Sequence, residues 1–276
     1  MDYMLGIIAG GGNLPRKMAD HFDSSGNRIF FIAIRGVTEP ETVEGRAHSW
    51  IKLGQVQKAL DEMLKAGVQK VAMAGPIKRP ALSSLDLDSR ASKMLVRGGL
   101  KIFGDDGLLT SVVNEIEKEG MNVIGIDEIL SCLLTKKGLI AGPQLDSTAV
   151  KDVERGVQVL YQLGRSDVGQ SIAVQEGLVL ALEAIEGTDQ MIKRAGELKR
   201  DILGPILVKI SKPYQERRVD LPTIGLDTVH NALAAGFRGI ALEANATLLL
   251  EKNNVVELAN KKDFFITGVD ALSLVS

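Results

Sequence analysis

The sequence contains few of the residues that build disulfides and zinc sites. Its 276 residues include one cysteine, Cys132, and three histidines. A single cysteine excludes an internal disulfide framework and a cysteine metal cluster, and it is typical of a reducing compartment. Three scattered histidines do not suggest a histidine-rich metal site. The candidate metal ligands of this chain are therefore carboxylates, and the cysteine content favours the cytoplasm.

Long apolar runs and a strong net charge are also missing. No run reaches the length of a membrane span, and the start Met-Asp-Tyr-Met lacks the basic region of a signal peptide. A net charge of -2 gives no reason to expect nucleic-acid binding. We expect a cytoplasmic protein with no nucleic-acid partner. Peripheral contact with a membrane surface and a homodimer both stay open.

What the chain does contain is an alternation of strand and helix patterns. The apolar content of 45%, the charged content of 25% and 29 glycines are typical of an α/β protein. Alternating elements in residues 1–132 predict a Rossmann-like parallel sheet of about five strands. Glycine, proline and lysine breakers then predict a linker at 133–147. Residues 148–276 predict a second α/β domain, whose strand order the pattern does not give.

A glycine turn follows the first predicted strand, Met4–Ala9. It reads Gly10-Gly11-Gly12-Asn13-Leu14 and opens a helix, so its backbone amides could approach an anion at the positive helix end. As a dinucleotide fingerprint it fails twice, because Pro15 replaces the third glycine and Arg35 stands where an acid would hold the ribose. An anion-binding turn and a purely structural turn both remain open.

A second turn, Gly75-Pro76-Ile77-Lys78, follows the predicted strand Lys70–Ala74. Ligands of parallel sheets lie beyond the carboxyl ends of the strands, so both turns should emerge at the same edge. Lys78 and Arg79 would then face the ligand. The alternative is a loop that its charges keep soluble.

Several acids and amides are candidate ligands elsewhere. Asp105 and Asp106 precede a predicted helix, where they could cap it or bind Mg²⁺ or a sugar hydroxyl. Thr188 and Asp189 precede another helix and could also cap it. The apolar stretch 171–185 contains Gln175 and Glu183, and buried polar groups of this kind need partners. Their presence suggests the wall of a ligand site.

The stretch 208–225 has the densest site chemistry in the chain. Asp220 lies between apolar neighbours, and the cations Lys209, Lys212, Arg217 and Arg218 are close in sequence. Such a carboxylate could hold a metal or orient a water while the cations face phosphate. The alternative is a solvated loop with local ion pairs.

Several segments together resemble the LpxI family of UDP-2,3-diacylglucosamine pyrophosphatases. The resemblance covers essentially the full length and implies a Rossmann-like domain, a linker and a C-terminal α/β catalytic domain, with the ligand in a cleft between the domains. The segments, in order, are Ile7 to Pro15, Gly75 to Pro80, Gly104-Asp105-Asp106, Glu186-Gly187-Thr188-Asp189, Lys212-Pro213 and Arg218 to Gly225.

The resemblance also implies a reaction. It is the Mg²⁺-dependent hydrolysis of UDP-2,3-diacylglucosamine to 2,3-diacylglucosamine 1-phosphate (lipid X) and UMP, with water attacking the α-phosphorus, in the lipid A biosynthesis of Gram-negative bacteria. The key aspartate of the family maps onto Asp220, as metal ligand or base. Asp105, Asp106 and Asp189 are the other candidate metal ligands. The partners would be this lipid substrate, its lipid product and, transiently, the inner-membrane surface.

Most of the expected substrate-binding residues fall on the matching segments, and the others come from the apolar stretch 171–185 and the charged stretch 208–225. They are Gly10, Gly11, Gly12, Asn13, Leu14, Gly75, Pro76, Ile77, Lys78, Asp105, Gln175, Thr188, Asp189, Lys209, Lys212, Gln215, Arg218 and Thr223.

Two other functions compete with this interpretation. A Rossmann-type dinucleotide enzyme would bind NAD(P)H tightly in a titration. A noncatalytic nucleotide-binding or lipid-binding protein would bind its ligand without turnover under any divalent metal.

Overall fold

The computed structural model describes residues 3–23, 26–77, 85–98, 105–200, 203–213 and 215–275, with the backbone alone at 105 and 106. The chain forms two compact units. The first comprises Met1–Ser131 and Glu216–Val219, and the second comprises Cys132–Gln215 and Asp220–Ser276. Within the described ranges, no helix combines the length and apolar character needed to cross a membrane.

The first unit is built on a five-stranded parallel sheet with strand order β3-β2-β1-β4-β5. This confirms the predicted Rossmann-like parallel sheet. Its elements are β1 (Met4–Ala9), α1 (Leu14–Asp23), β2 (Arg28–Ile34), α2 (Pro40–Val43), β3 (His48–Ile51), α3 (Val56–Ala66), β4 (Val68–Ala74), α4 (Ser89–Gly98), α5 (Asp105–Lys118), β5 (Asn122–Val123) and α6 (Ile126–Ile129).

The two glycine turns of this unit leave the sheet side by side. Strands β1 and β4 are parallel neighbours and end in register, Ala9 beside Ala74. The amide of Gly10 donates to the carbonyl of Ala74 at 2.7 Å, and the amide of Gly11 donates to the carbonyl of Pro76 at 2.9 Å. The prediction that both turns emerge at one edge is confirmed.

The second unit contains a six-stranded mixed sheet with strand order β6-β13-β11-β9-β7-β8 and a separate parallel pair, β10 and β12. Strands β13, β11 and β9 are parallel, whereas β6, β7 and β8 run antiparallel to their neighbours. Strand β6 lies within the segment predicted as a linker. The elements are β6 (Gly138–Ala141), α7 (Ser147–Gly164), β7 (Ser171–Gln175), β8 (Leu178–Leu182), α8 (Thr188–Leu198), β9 (Ile206–Lys209), β10 (Thr223–Ile224), α9 (Leu226–Ala234), β11 (Gly239–Glu243), β12 (Leu248–Leu249), α10 (Lys252–Lys261), β13 (Phe265–Val269) and a short 3-10 helix (Ala271–Leu274).

The turn between β7 and β8 is held by a buried carboxylate of α7. Both turn residues, Glu176 and Gly177, have positive φ, which suits a tight hairpin but is strained for glutamate. Their amides donate to Asp152 at 3.0 and 2.6 Å. Asp152 is 1% exposed. The helix therefore fixes the hairpin through one side chain.

Replacing Asp152 by alanine should lower the free energy of unfolding of the second unit by about 2 kcal/mol, because both turn amides lose their acceptor. Urea-induced unfolding measures this loss. Asp146→Ala is the matched control, since Asp146 is the N-cap of α7 and its carboxylate accepts from the amide of Ala149. Loss of such a cap costs about 1 kcal/mol. Equal losses in the two variants would contradict the role assigned to Asp152.

Candidate functional site

Polar side chains of the second unit converge at one edge of its mixed sheet. Strand β9 ends at Lys209, and the antiparallel strand β7 begins opposite it at Ser171. Strand β8 ends at Leu182, and the next residue, Glu183, lies beside Ser171 because its amide donates to the Ser171 carbonyl at 2.9 Å. The chain then continues into α8. Strand β11 ends at Glu243, whose carboxylate accepts from the amide of Ser211 at 2.7 Å. These strand ends form the candidate site.

Lys209 is the buried cation of this edge. It is 4% exposed, and its ammonium donates to the hydroxyls of Thr188 at 2.7 Å and Ser171 at 3.2 Å. Burial lowers the pKa of Lys209, because the charged form loses its hydration, while the carboxylates of Glu183, Asp220 and Asp189 oppose that shift. Three acids therefore act electrostatically on one buried lysine.

The start of α8 differs from the predicted capping arrangement. The N-cap is Gly187, with φ of 80°, so neither Thr188 nor Asp189 caps the helix. The hydroxyl of Thr188 instead donates to Glu183 Oε1 at 2.8 Å and accepts from Lys209. Asp189 lies in the first helical turn, where the helix dipole favours a carboxylate. The start of α8 therefore contacts Lys209 and Glu183 through the hydroxyl of Thr188.

Asp220 is held by a buried amide. Gln215 Nε2 donates to Asp220 Oδ2, and Gln215 Oε1 accepts from the amide of Lys212 at 3.0 Å. The side chain of Lys212 pairs with Asp167. Gln215 is itself buried. One glutamine therefore links the backbone after β9 to the candidate catalytic carboxylate.

Asp220 contributes one carboxylate, so a magnesium ion held there would need further ligands from substrate and water. In the parts of the chain that the structure describes, no group of three or more His, Cys, Asp or Glu is arranged to hold a metal. Mg²⁺ does not require such a cage, because it is commonly held by one or two carboxylates together with substrate phosphates and waters. Asp220 offers a carboxylate of this kind, and Asp189 acts on the same lysine.

Three other predicted residues of the binding set make contacts within their own unit. Gln175 is fully buried. Its Nε2 donates to the carbonyls of Arg200 and Leu203, and its Oε1 accepts from the amide of Arg200. The protein itself therefore satisfies this buried side chain without a ligand. Thr223 begins β10 and donates to the carbonyl of Leu221 at 3.0 Å. Arg218 belongs to the first unit and pairs with Glu216 and Glu117.

The glycine turn of the first unit uses its amides within the protein. Besides the bonds of Gly10 and Gly11 to carbonyls of the neighbouring turn, the amide of Gly12 donates to Glu39 Oε1 at 3.1 Å. The carboxylate of Glu39 thus accepts the hydrogen bond that the Gly12 amide would otherwise donate to a dinucleotide pyrophosphate. This contact favours the structural alternative for the three amides. Asn13, whose carbonyl accepts from the amide of Lys17, and Leu14 follow at the start of α1.

Some predicted positions lie beyond what the structure describes. Gly75, Pro76 and Ile77 are described, whereas Lys78 and Arg79 lie outside the described residues. Asp105 begins α5 and Asp106 follows it, with the backbone alone described at both. Their predicted roles stay predictions.

Sequence reasoning missed two members of the site. Ser171 was not singled out, and Asp167, the partner of Lys212, was not either. Asp167 has a φ of 52°, which is rare outside glycine, but no sequence signal marks it. Ser171 enters the site only through its register with Lys209, which depends on long-range strand pairing.

Comparison with known proteins covers both units. A family model described as the LpxI N-terminal domain matches residues 4–133, and one described as the LpxI C-terminal domain matches residues 136–267. The chain is 36% identical over 275 residues to a protein of Caulobacter vibrioides named UDP-2,3-diacylglucosamine pyrophosphatase LpxI. That similarity covers 96% of this chain and 97% of the relative.

Proposed function

The chain belongs to the LpxI family. We propose that it is a hydrolase that converts UDP-2,3-diacylglucosamine to 2,3-diacylglucosamine 1-phosphate (lipid X) and UMP in lipid A biosynthesis. The family resemblance read from the sequence is thereby confirmed. The proposed substrate and products correspond to the activity in the name of the Caulobacter relative.

The structural observation that carries this proposal is the buried ammonium of Lys209. It donates to the hydroxyl of Thr188 at 2.7 Å, and the negative charge of Asp220 opposes the lowering of its pKa by burial. Hydrolysis of a pyrophosphate diester requires charge neutralisation, an oriented water and in-line geometry. The buried ammonium of Lys209 at the end of β9 would supply the first of these requirements, and the carboxylate of Asp220 would supply the second.

We assign Asp220 the central role, as metal ligand or as base for the attacking water. Gln215 holds one oxygen of this carboxylate, and the backbone amide of Lys212 in turn holds the side chain of Gln215. Lys209 supplies positive charge near the phosphates. Bound Mg²⁺ would neutralise phosphate charge and lower the pKa of a bound water. Asp220 would hold it, with Asp189 of the same unit as a further candidate ligand.

We also propose a cytoplasmic location with transient contact at the inner-membrane surface, where a diacyl substrate resides. Helix α4 offers a surface that fits this contact. Lys93, Val96 and Arg97 are exposed on it, and Val96 is 84% exposed. An apolar side chain flanked by cations suits the boundary of an anionic bilayer.

Hydrolysis of UDP-2,3-diacylglucosamine in ¹⁸O-labelled water tests the proposed reaction. Attack at the α-phosphorus places the label in UMP, whereas attack at the other phosphorus places it in the lipid phosphate. Mass spectrometry of both products should find the label in UMP alone. Adding Mg²⁺ to chelator-treated protein should raise turnover by at least about tenfold.

The other outcomes point to the competing functions. Binding of the lipid substrate without turnover under Mg²⁺ or Mn²⁺ would indicate a noncatalytic binding protein. Tight NAD(P)H binding without hydrolysis would indicate a dinucleotide enzyme. If chelator treatment leaves turnover unchanged, the proposed hydrolysis stands but its dependence on Mg²⁺ is contradicted.

A further inference from the structure

Lys209 and Glu183 form an ion pair through a hydroxyl instead of a direct hydrogen bond. The ammonium donates to Thr188 Oγ1 at 2.7 Å, and that hydroxyl donates to Glu183 Oε1 at 2.8 Å. The direct separation between Lys209 Nζ and Glu183 Oε2 is 3.9 Å, which exceeds hydrogen-bond distance. We call these three side chains the hydroxyl bridge.

The direction of the hydroxyl bridge is fixed by its chemistry. A lysine ammonium only donates and a carboxylate only accepts, while a hydroxyl has one proton to give. Thr188 gives that proton to Glu183 and accepts from Lys209. Ser171 Oγ, 3.4 Å from Thr188 Oγ1, is a second acceptor for the ammonium. The donor capacity of the Thr188 hydroxyl is therefore committed within the protein.

The arrangement is unusual for a pair whose only purpose is stability. Burying a lysine and a glutamate is costly, and close contact with full hydrogen bonding offsets that cost best. The side chains of Lys209 and Glu183 are 5% and 10% exposed, yet Glu183 Oε2 finds no hydrogen-bond partner in the described part of the chain. The ammonium is held in place but is not covered by a carboxylate. Besides Glu183, the carboxylates of Asp220 and Asp189 raise the pKa of Lys209 through their negative charge.

We propose that Glu183 is a positioning residue that acts through Thr188 to hold the Lys209 ammonium at the reaction centre. The inference rests on the proposed hydrolysis and deepens it, since it names the residues that fix the cation facing the developing phosphate charge. A preorganised cation stabilises the transition state more than the bound substrate. Loosening the hydroxyl bridge should therefore lower kcat more than it raises KM.

The matched variants Thr188→Val and Thr188→Ser test this role. Valine keeps the shape of threonine but has no hydroxyl, whereas serine keeps the hydroxyl. We expect the valine variant to lose about tenfold to a hundredfold in kcat with KM changed less than about twofold, and the serine variant to recover most of that loss. Glu183→Gln, which removes the charge but keeps an acceptor, should also lower kcat.

Two results would overturn the proposal. A raised KM with unchanged kcat in Thr188→Val would mean that the hydroxyl binds substrate directly, as the family resemblance suggests. Equal kcat in the valine and serine variants would mean that no hydroxyl bridge operates.

Thermal unfolding of Lys209→Met, Glu183→Gln and the double variant provides a readout that needs no substrate. Removing one member of a buried pair leaves the other uncompensated, while removing both does not. The double variant should therefore have a Tm no lower than that of the less stable single variant. If the unmodified protein turns over substrate but the two Tm losses add in the double variant, the hydroxyl bridge is contradicted. If the unmodified protein shows no turnover but the Tm losses do not add, the bridge stands and the proposed reaction is contradicted.

Discussion

Replacing Asp220 by asparagine should reduce turnover of UDP-2,3-diacylglucosamine by about a thousandfold. Asparagine has nearly the same shape and can still accept from Gln215, so the local structure should persist. It cannot act as a base and is a weak magnesium ligand, so either role proposed for Asp220 would be lost. Release of UMP under saturating substrate measures kcat, and calorimetric titration shows whether the variant still binds.

Asp227→Asn is the matched control for that experiment. Asp227 is an exposed acid in the first turn of α9, and it is not among the groups that act on Lys209. Its variant should keep native kcat. If Asp220→Asn also keeps native kcat, the reaction centre moves to another acid, with Asp189 the first to test. If it loses substrate binding together with turnover, Asp220 serves recognition as well as chemistry.

Much of the fold follows from local sequence. Strand β1 occupies the residues that its pattern predicts, Met4–Ala9, and β4 includes the predicted Lys70–Ala74. Helix α3 ends where Gly67 takes a left-handed conformation, which glycine adopts without strain. A continuous apolar run and an amphipathic repeat bounded by glycine are local signals, so no tertiary information is needed to read them.

Pairing between distant strands is what the sequence does not determine. The apolar pattern around the last strand of the first sheet runs over residues 121–126, but the strand covers only Asn122–Val123, because the chain then turns into α6 at Ile126. The order of the second sheet mixes parallel and antiparallel neighbours from across the unit, and no local pattern specifies it.

The candidate site shows the same division. Lys209 and Asp220 are candidates because the stretch 208–225 concentrates cations around a carboxylate with apolar neighbours, and Thr188 is a candidate because it precedes a helix. Their hydroxyl and electrostatic contacts depend on the register that sets Ser171 opposite Lys209. Gln175 and Glu183 carried the same sequence signal of a polar group in an apolar stretch. Gln175 donates to the carbonyls of Arg200 and Leu203, whereas Glu183 is part of the hydroxyl bridge.

Replacing Gly10 by alanine should destabilise the first unit by about 3 kcal/mol, the upper end for overpacking a core position. An added Cβ would lie 2.8 Å from the carbonyl oxygen of Pro76 and closer still to the carbonyl group of Gly75. Both are backbone atoms, so the two turns would have to separate and weaken the Gly10–Ala74 hydrogen bond. Gly11→Ala is the matched control, because its Cβ would meet nothing nearer than 3.3 Å, and thermal unfolding compares the two. If Gly10→Ala instead keeps its Tm and raises KM alone, the turn serves ligand binding more than backbone packing.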